Sequence, residues 1–180
     1  VKFARGALTT IATIEWSDWS NIRADTKHAD DGIAVTLGGN YKFDFGTVYL
    51  AGQYFDNQWK LPSPSEIVPL QFVANASPAK DRMVKGYGFV TGLKVPTAQG
   101  DFLFSLGMRD AQLVNHSNIN AMRVSGSVGY RYPLSQRTAI YTAASYTHDS
   151  MNKQSAASSS DTVKVKPNAS QVVLGLTHAF

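Results

Sequence analysis

Five cations, Lys42, Lys94, Arg109, Arg123 and Arg131, each occupy the polar position of a segment that alternates with apolar residues. If those segments are strands, all five project to the polar side, because successive strand side chains point to opposite faces. The chemistry open to such a set is electrostatic: fixed positive charge beside water raises the local concentration of anions. Asp101 and Glu15 fall on the same side and offset part of the charge.

Covalent chemistry has less to work with. Catalysis needs a nucleophile, a base and an orienting group brought together, and the chain has no glycine-x-serine-x-glycine turn. Gly86-Tyr87-Gly88 with Gly92 has the wrong spacing for a dinucleotide loop and no helical pattern behind it. His28, His116, His148 and His178 are never at metal-ligand spacing. Asp30-Asp31 suits a hard divalent cation, yet the pair sits in a polar stretch that reads first as a solvated loop. There is no cysteine, hence no disulfide and no thiolate site. The expectation is therefore no catalytic residue, no metal and no cofactor. Asn75-Ala76-Ser77, Asn115-His116-Ser117 and Asn168-Ala169-Ser170 match glycosylation sequons and are read as loop composition, as is the serine-rich stretch from Ser155 to Ser160.

The apolar fraction is 43% and the charged fraction 17%, against about 25% charged in an average soluble domain. That balance excludes disorder. No run approaches the ~20 apolar residues of a membrane helix, a test blind to barrels, whose strands put only alternate residues into lipid. The net charge of +4 is spread over single residues with no basic run, which argues against nucleic acid as a partner. No signal-peptide pattern opens the chain at Val1, so any leader is expected upstream.

Eight segments show a period of two: Ala7 to Trp16, Gly32 to Phe43, Thr47 to Asp56, Met83 to Val95, Asp101 to Ala111, Ala121 to Tyr132, Thr138 to His148 and Gln171 to Phe180. Their lengths match the roughly 9 to 11 residues that cross a bilayer at a tilt better than the mean of about 5 or 6 in soluble sheets. Connections alternate between long (Ser17 to Asp31, Asn57 to Arg82, Gln112 to Asn120, Asp149 to Ser170) and short (Asp44 to Gly46, Pro96 to Gly100, Pro133 to Arg137). Loops sorted by end are the arrangement of outer-membrane barrels.

Faces complete the reading. Ile33, Val35, Leu37, Tyr41 and Phe43 oppose Ala34, Thr36, Asn40 and Lys42. Phe102, Phe104, Leu106 and Met108 oppose Asp101, Ser105, Gly107 and Arg109, and Met122, Val124, Val128, Tyr130 and Tyr132 oppose Arg123, Ser125, Ser127 and Arg131. A lysine or arginine at the lipid midplane costs ~2–4 kcal/mol, so a bilayer would enforce this segregation. Trp16, Trp19, Tyr41, Phe43, Tyr130, Tyr132 and Phe180 fall at segment ends, where interfacial girdles form. Val172, Leu174, Leu176, His178 and Phe180 share one face of the last segment. The fold class expected is all-β, an antiparallel transmembrane β-barrel, with residues 1–180 in a single domain.

The stretch Gly129-Tyr130-Arg131-Tyr132-Pro133-Leu134-Ser135-Gln136-Arg137-Thr138-Ala139-Ile140-Tyr141 resembles the strand-turn-strand near the end of the general trimeric porins of beta-proteobacteria, of the neisserial and Burkholderia type. Gly175 to Phe180 is similar to that family's glycine-leucine-arginine-histidine-x-phenylalanine ending. Asn40 to Gly46 and Lys85-Gly86-Tyr87 agree more weakly. The chain departs at Thr177, where arginine is frequent, and at Gln136, where lysine is usual. The resemblance implies a sixteen-stranded barrel in the bacterial outer membrane, three copies per assembly, in contact with lipid and lipopolysaccharide. It also implies that Val172, Leu174, Leu176, His178 and Phe180 form the signal read by the barrel-assembly machinery. Nothing matches the family's first strand or constriction loop; Val1 to Ala4 looks like the end of a preceding strand and Arg5-Gly6 like its turn. The chain is thus expected to be the carboxy-terminal half, strands nine to sixteen.

The function expected is passive diffusion of ions and small hydrophilic solutes, with a preference for anions set by Lys42, Lys94, Arg109, Arg123 and Arg131. Arg109 and Arg123 are expected to form a basic ladder; the competing outcome is that they hydrogen-bond to loops or to acidic residues of the missing half of the barrel. Two other readings stay open. A complete eight-stranded barrel would act structurally or in adhesion through its loops, although Gly86, Gly88, Gly92, Ala143 and Gly175 fill a closed interior poorly. A soluble β-sandwich would seal the apolar sides between two sheets.

Overall fold

The computed structural model describes residues 1–18, 31–59, 83–114, 119–154 and 162–179. Within them the chain is all strand: β1 (Lys2–Arg5), β2 (Leu8–Ser17), β3 (Gly32–Phe43), β4 (Gly46–Trp59), β5 (Met83–Thr97), β6 (Gly100–Leu113), β7 (Asn120–Pro133), β8 (Thr138–Gln154), β9 (Thr162–Val165) and β10 (Asn168–His178). No helix among these residues is long and apolar enough to cross a membrane.

All strands belong to one antiparallel sheet in the order β1-β2-β3-β4-β5-β6-β7-β8-β10, with β9 paired to β8 beyond the start of β10. From β1 to β9 each strand pairs with its sequence neighbour, the commonest arrangement for consecutive strands, and β10 returns to pair with β8. The turns after β1, β3 and β5 are two residues each, Gly6-Ala7, Asp44-Phe45 and Ala98-Gln99. Gly6 adopts φ +58°, a left-handed conformation cheap only for glycine. After β7, residues 134–137 turn under hydrogen bonds from the amides of Arg137 and Thr138 to the Ser135 hydroxyl.

The eight expected strands are present, with differences at their ends. β1 pairs with β2 as a separate strand, with Lys2 opposite Ile11 and Arg5 opposite Leu8. β8 runs on to Gln154, so the connection read as starting at Asp149 begins six residues later. Likewise Asn168-Ala169-Ser170 lies in β10, opposite His148, Thr147 and Tyr146, and not in a loop. β4 extends to Trp59 across a bulge between Phe55 and Gln58, where Asn57 takes φ +49° and donates its amide to Asp56 Oδ1 at 2.9 Å.

Register determines which side chains share a face. One row across the sheet is Leu37, Gly52, Phe89, Met108, Val124 and His148; another is Tyr41, Val48, Leu93, Phe104, Val128, Ala144 and Val172. The apolar face stays exposed: Ile14 is 75%, Leu106 64%, Val172 78% and Leu174 76% accessible. Among the described residues the only large fully buried side chain, Phe55, is on the opposite face in a small cluster with Ala34, Val84, Ala111, Leu113, Ile119, Ala121 and Met151. No second layer among the described residues covers the apolar face, the place where a two-layer sheet protein has its core. At the short-turn end of the apolar face, rings cluster: Tyr41 and Phe43 at 4.6 Å, Phe43 and Phe45 at 5.2 Å, Phe102 and Tyr130 at 4.7 Å. Trp19 and Phe180 lie outside the described residues.

Gly86 is among the glycines whose position is set by close approach. A Cβ on Gly86 would strike the carbonyl oxygen of Asp110 and the Cα of Ala111 on β6, whereas one on Gly52 would have only the Gly88 carbonyl oxygen near it, at 3.8 Å. Gly86→Ala is expected to destabilise the protein by about 1–3 kcal/mol and Gly52→Ala to change stability by less than about 1 kcal/mol, both read from urea unfolding followed by tryptophan fluorescence.

Candidate functional site: the charged face of the sheet

Among the described residues nine charged side chains project from the face opposite the exposed apolar one: Lys2, Glu15, Lys42, Lys94, Asp101, Arg109, Arg123, Arg131 and Asp149. The strand charges on the apolar face among the described residues are Arg5, Asp56, Lys85, Asp110 and Lys164. All five cations singled out in the sequence therefore share a face. That face is mixed, since Ile11, Tyr49, Val90, Leu103 and Val173 also stand on it.

Seven of these nine charges form two groups. At the long-connection end, Arg109 on β6 is directly opposite Arg123 on β7, which is opposite Asp149 on β8. Like charges in direct cross-strand pairing repel, and each arginine has a partner on its other side. Arg123 makes a two-pronged ion pair with Asp149, Nε to Oδ1 at 2.6 Å and Nη2 to Oδ2 at 2.7 Å, the strong fork geometry of guanidinium and carboxylate. Arg109 lays its guanidinium over the Phe55 ring at 4.7 Å. Gly86 and Gly88, which stand opposite Phe55 and Arg109 on the intervening β5, carry no side chain to separate them.

The basic ladder is thus replaced by an ion pair and a cation–π contact. The carboxylate responsible lies in this chain, at Asp149, which was assigned to a loop; its signal was the alternation of Thr147, Asp149 and Met151 continuing past His148. Phe55 had no comparable signal, because its approach to Arg109 depends on the bulge and on two glycines of another strand.

Across the middle of the face runs a row of Thr9, Asn40, Tyr49, Gly92, Ser105, Ser127, Ser145 and Gln171. Ser105 and Ser127 share a hydrogen bond at 2.8 Å, and farther out Gln53 donates to the Thr36 hydroxyl at 3.2 Å. At the short-turn end, Asp101 on β6 lies between Lys94 on β5, at 3.1 Å, and Arg131 on β7, at 3.7 Å. Lys42 on β3 joins them through the row Lys42, Thr47, Lys94. Tyr141, opposite both Arg131 and Gly175, lays its ring over the bare Gly175 backbone.

Val172, Leu174, Leu176 and His178 share the apolar face of β10, and His178 Nδ1 is 2.9 Å from the Thr138 hydroxyl. Phe180, the last member of that set, is outside the described residues. His148 Nδ1 lies 2.6 Å from Asn168 Oδ1; His28, His116 and Asp30 are outside the described residues, among which no group of three or more His, Cys, Asp or Glu could hold a metal ion. Compared with protein-family models, curated proteins and solved structures, the chain matches none.

Asp149 is 7% accessible, so losing Arg123 strands a buried carboxylate. Arg123→Met is expected to destabilise the protein by roughly 2–3 kcal/mol, and the double variant Arg123→Met/Asp149→Ala to recover at least half of that loss in the same unfolding measurement.

Proposed function

We propose that the chain forms part of the wall of an outer-membrane porin, a water-filled channel for passive diffusion of ions and small hydrophilic solutes with a preference for anions. The observation that carries this reading is the division of one sheet into an exposed apolar face and an opposite face that holds most of the strand charges among the described residues. In hydrocarbon the first face needs no cover. The second face, with its hydroxyl row and cations, suits a wet lumen. A β-sandwich would need a second sheet over Ile14, Leu106 and Leu174, and the described residues supply one sheet alone.

Two features favour a large barrel over an eight-stranded one. β1 occupies the edge of β2 from Leu8 to Ile11, which an eight-stranded closure would give to β10. β1 and β10 also run in the same direction, being the ends of a nine-strand alternating path. Antiparallel closure therefore takes an odd number of further strands, and a sixteen-stranded barrel adds seven to these nine. Lipid and lipopolysaccharide around the apolar face, docking by the assembly machinery at β10 and a homotrimer follow from the porin resemblance.

The intact polypeptide is expected to fractionate with outer membranes, to need detergent for extraction and to produce stepwise ion conductance in planar bilayers. Recovery as a water-soluble monomer, or bilayers that stay silent at protein levels where control porins insert, would refute the reading.

A further inference from the structure

We propose that anion preference is set at the short-turn mouth, where Lys42, Lys94 and Arg131 form a receiving site for small oxyanions such as inorganic phosphate, and not at Arg109 and Arg123. The inference rests on the porin reading and assigns its selectivity to particular residues.

The two arginines at the long-connection end are already engaged. The Arg123 fork is closed on Asp149, and Arg109 is stacked on Phe55 beside the buried cluster of Val84, Ala111 and Ala121. A permeating anion there meets a neutralised pair and a guanidinium packed against a ring.

At the opposite end three cations face one carboxylate. Asp101 cannot neutralise Lys94 and Arg131 together. It acts as a template that draws both toward one point, Lys94 at 3.1 Å and Arg131 at 3.7 Å. The longer separation exceeds a direct hydrogen bond, so the guanidinium is held nearby without being locked into a fork. Lys42 stands two strands from Lys94, about 10 Å between backbones, a gap that two long flexible side chains can span. Past Lys94 the same row runs through Leu103 to Gly129 and Ala143, which add little bulk. Lys42 and Arg131 are exposed. Planar guanidinium donors match an oxyanion edge, and the two ammonium groups add point charge. Asp44 is in the adjoining exposed turn.

The test is the reversal potential of the intact protein in planar bilayers under a potassium chloride gradient. Wild type is expected to favour chloride. Lys42→Gln/Lys94→Gln/Arg131→Gln should lower the chloride-to-potassium permeability ratio by roughly threefold or more. Asp101→Asn should raise the ratio, and Arg109→Gln should leave it unchanged. Inorganic phosphate should reduce chloride current in wild type and not in the triple variant. A triple variant that keeps the wild-type ratio, an equal fall with Arg109→Gln alone, or a cation-preferring wild type would overturn the inference while leaving a conducting porin intact. Should the triple variant insert no channels, Asp101→Asn decides, and a ratio that fails to rise overturns it. A wild-type protein that conducts nothing removes the porin reading and this inference together.

Discussion

Everything in this molecule depends on the backbone ladder that ties nine strands edge to edge. Its hydrogen bonds fix register, and register with a side-chain period of two decides which face each residue occupies. A one-residue slip between β6 and β7 would carry Arg109 or Arg123 to the apolar side and Met108 or Val124 to the charged side. The penalty for such a slip is set by whatever solvent each face meets, so the environment acts as the proofreader of the pairing. Ordinary core packing plays a small part: one modest cluster around Phe55 is the only apolar core among the described residues.

The charged face is not uniform from end to end. Near the long connections its ionic groups are paired or stacked and its neighbours buried, an arrangement that holds β4 to β8 together. Near the short turns the groups are accessible and the single carboxylate is outnumbered. Rigid and responsive chemistry are thus placed at opposite ends of the same strands, with a row of hydroxyls and amides between them. Ser105 and Ser127 satisfy each other there, so that middle zone adds polarity without adding charge.

Much of this was legible in the sequence because the alternation is long. Twelve residues of Gly32–Phe43 or fourteen of Asn120–Pro133 give a period-two pattern that neither a helix nor a loop imitates. Legibility failed where alternation lost its apolar half. From Asp149 to Gln154 both faces of β8 are largely polar, so the strand looked like a loop and the partner of Arg123 went unseen. The four residues of β9 are too few to show a period. The bulge at Asn57 was illegible for a different reason: an extra residue is defined only against the partner strand, and a single sequence does not contain that comparison. The cations were found as a set, whereas their division into engaged and accessible groups required partners from three strands, β4, β6 and β8.

The common direction of β1 and β10 limits what the chain can do with itself. Two upright copies joined edge to edge would meet in parallel seams, out of keeping with every other pairing in the sheet. The all-antiparallel ring open to two copies turns one upside down, which in the proposed membrane setting would put its long connections on the opposite side. In that setting the shared direction of the two edge strands of this sheet weighs against two copies sealing into one cylinder, without any clash of side chains.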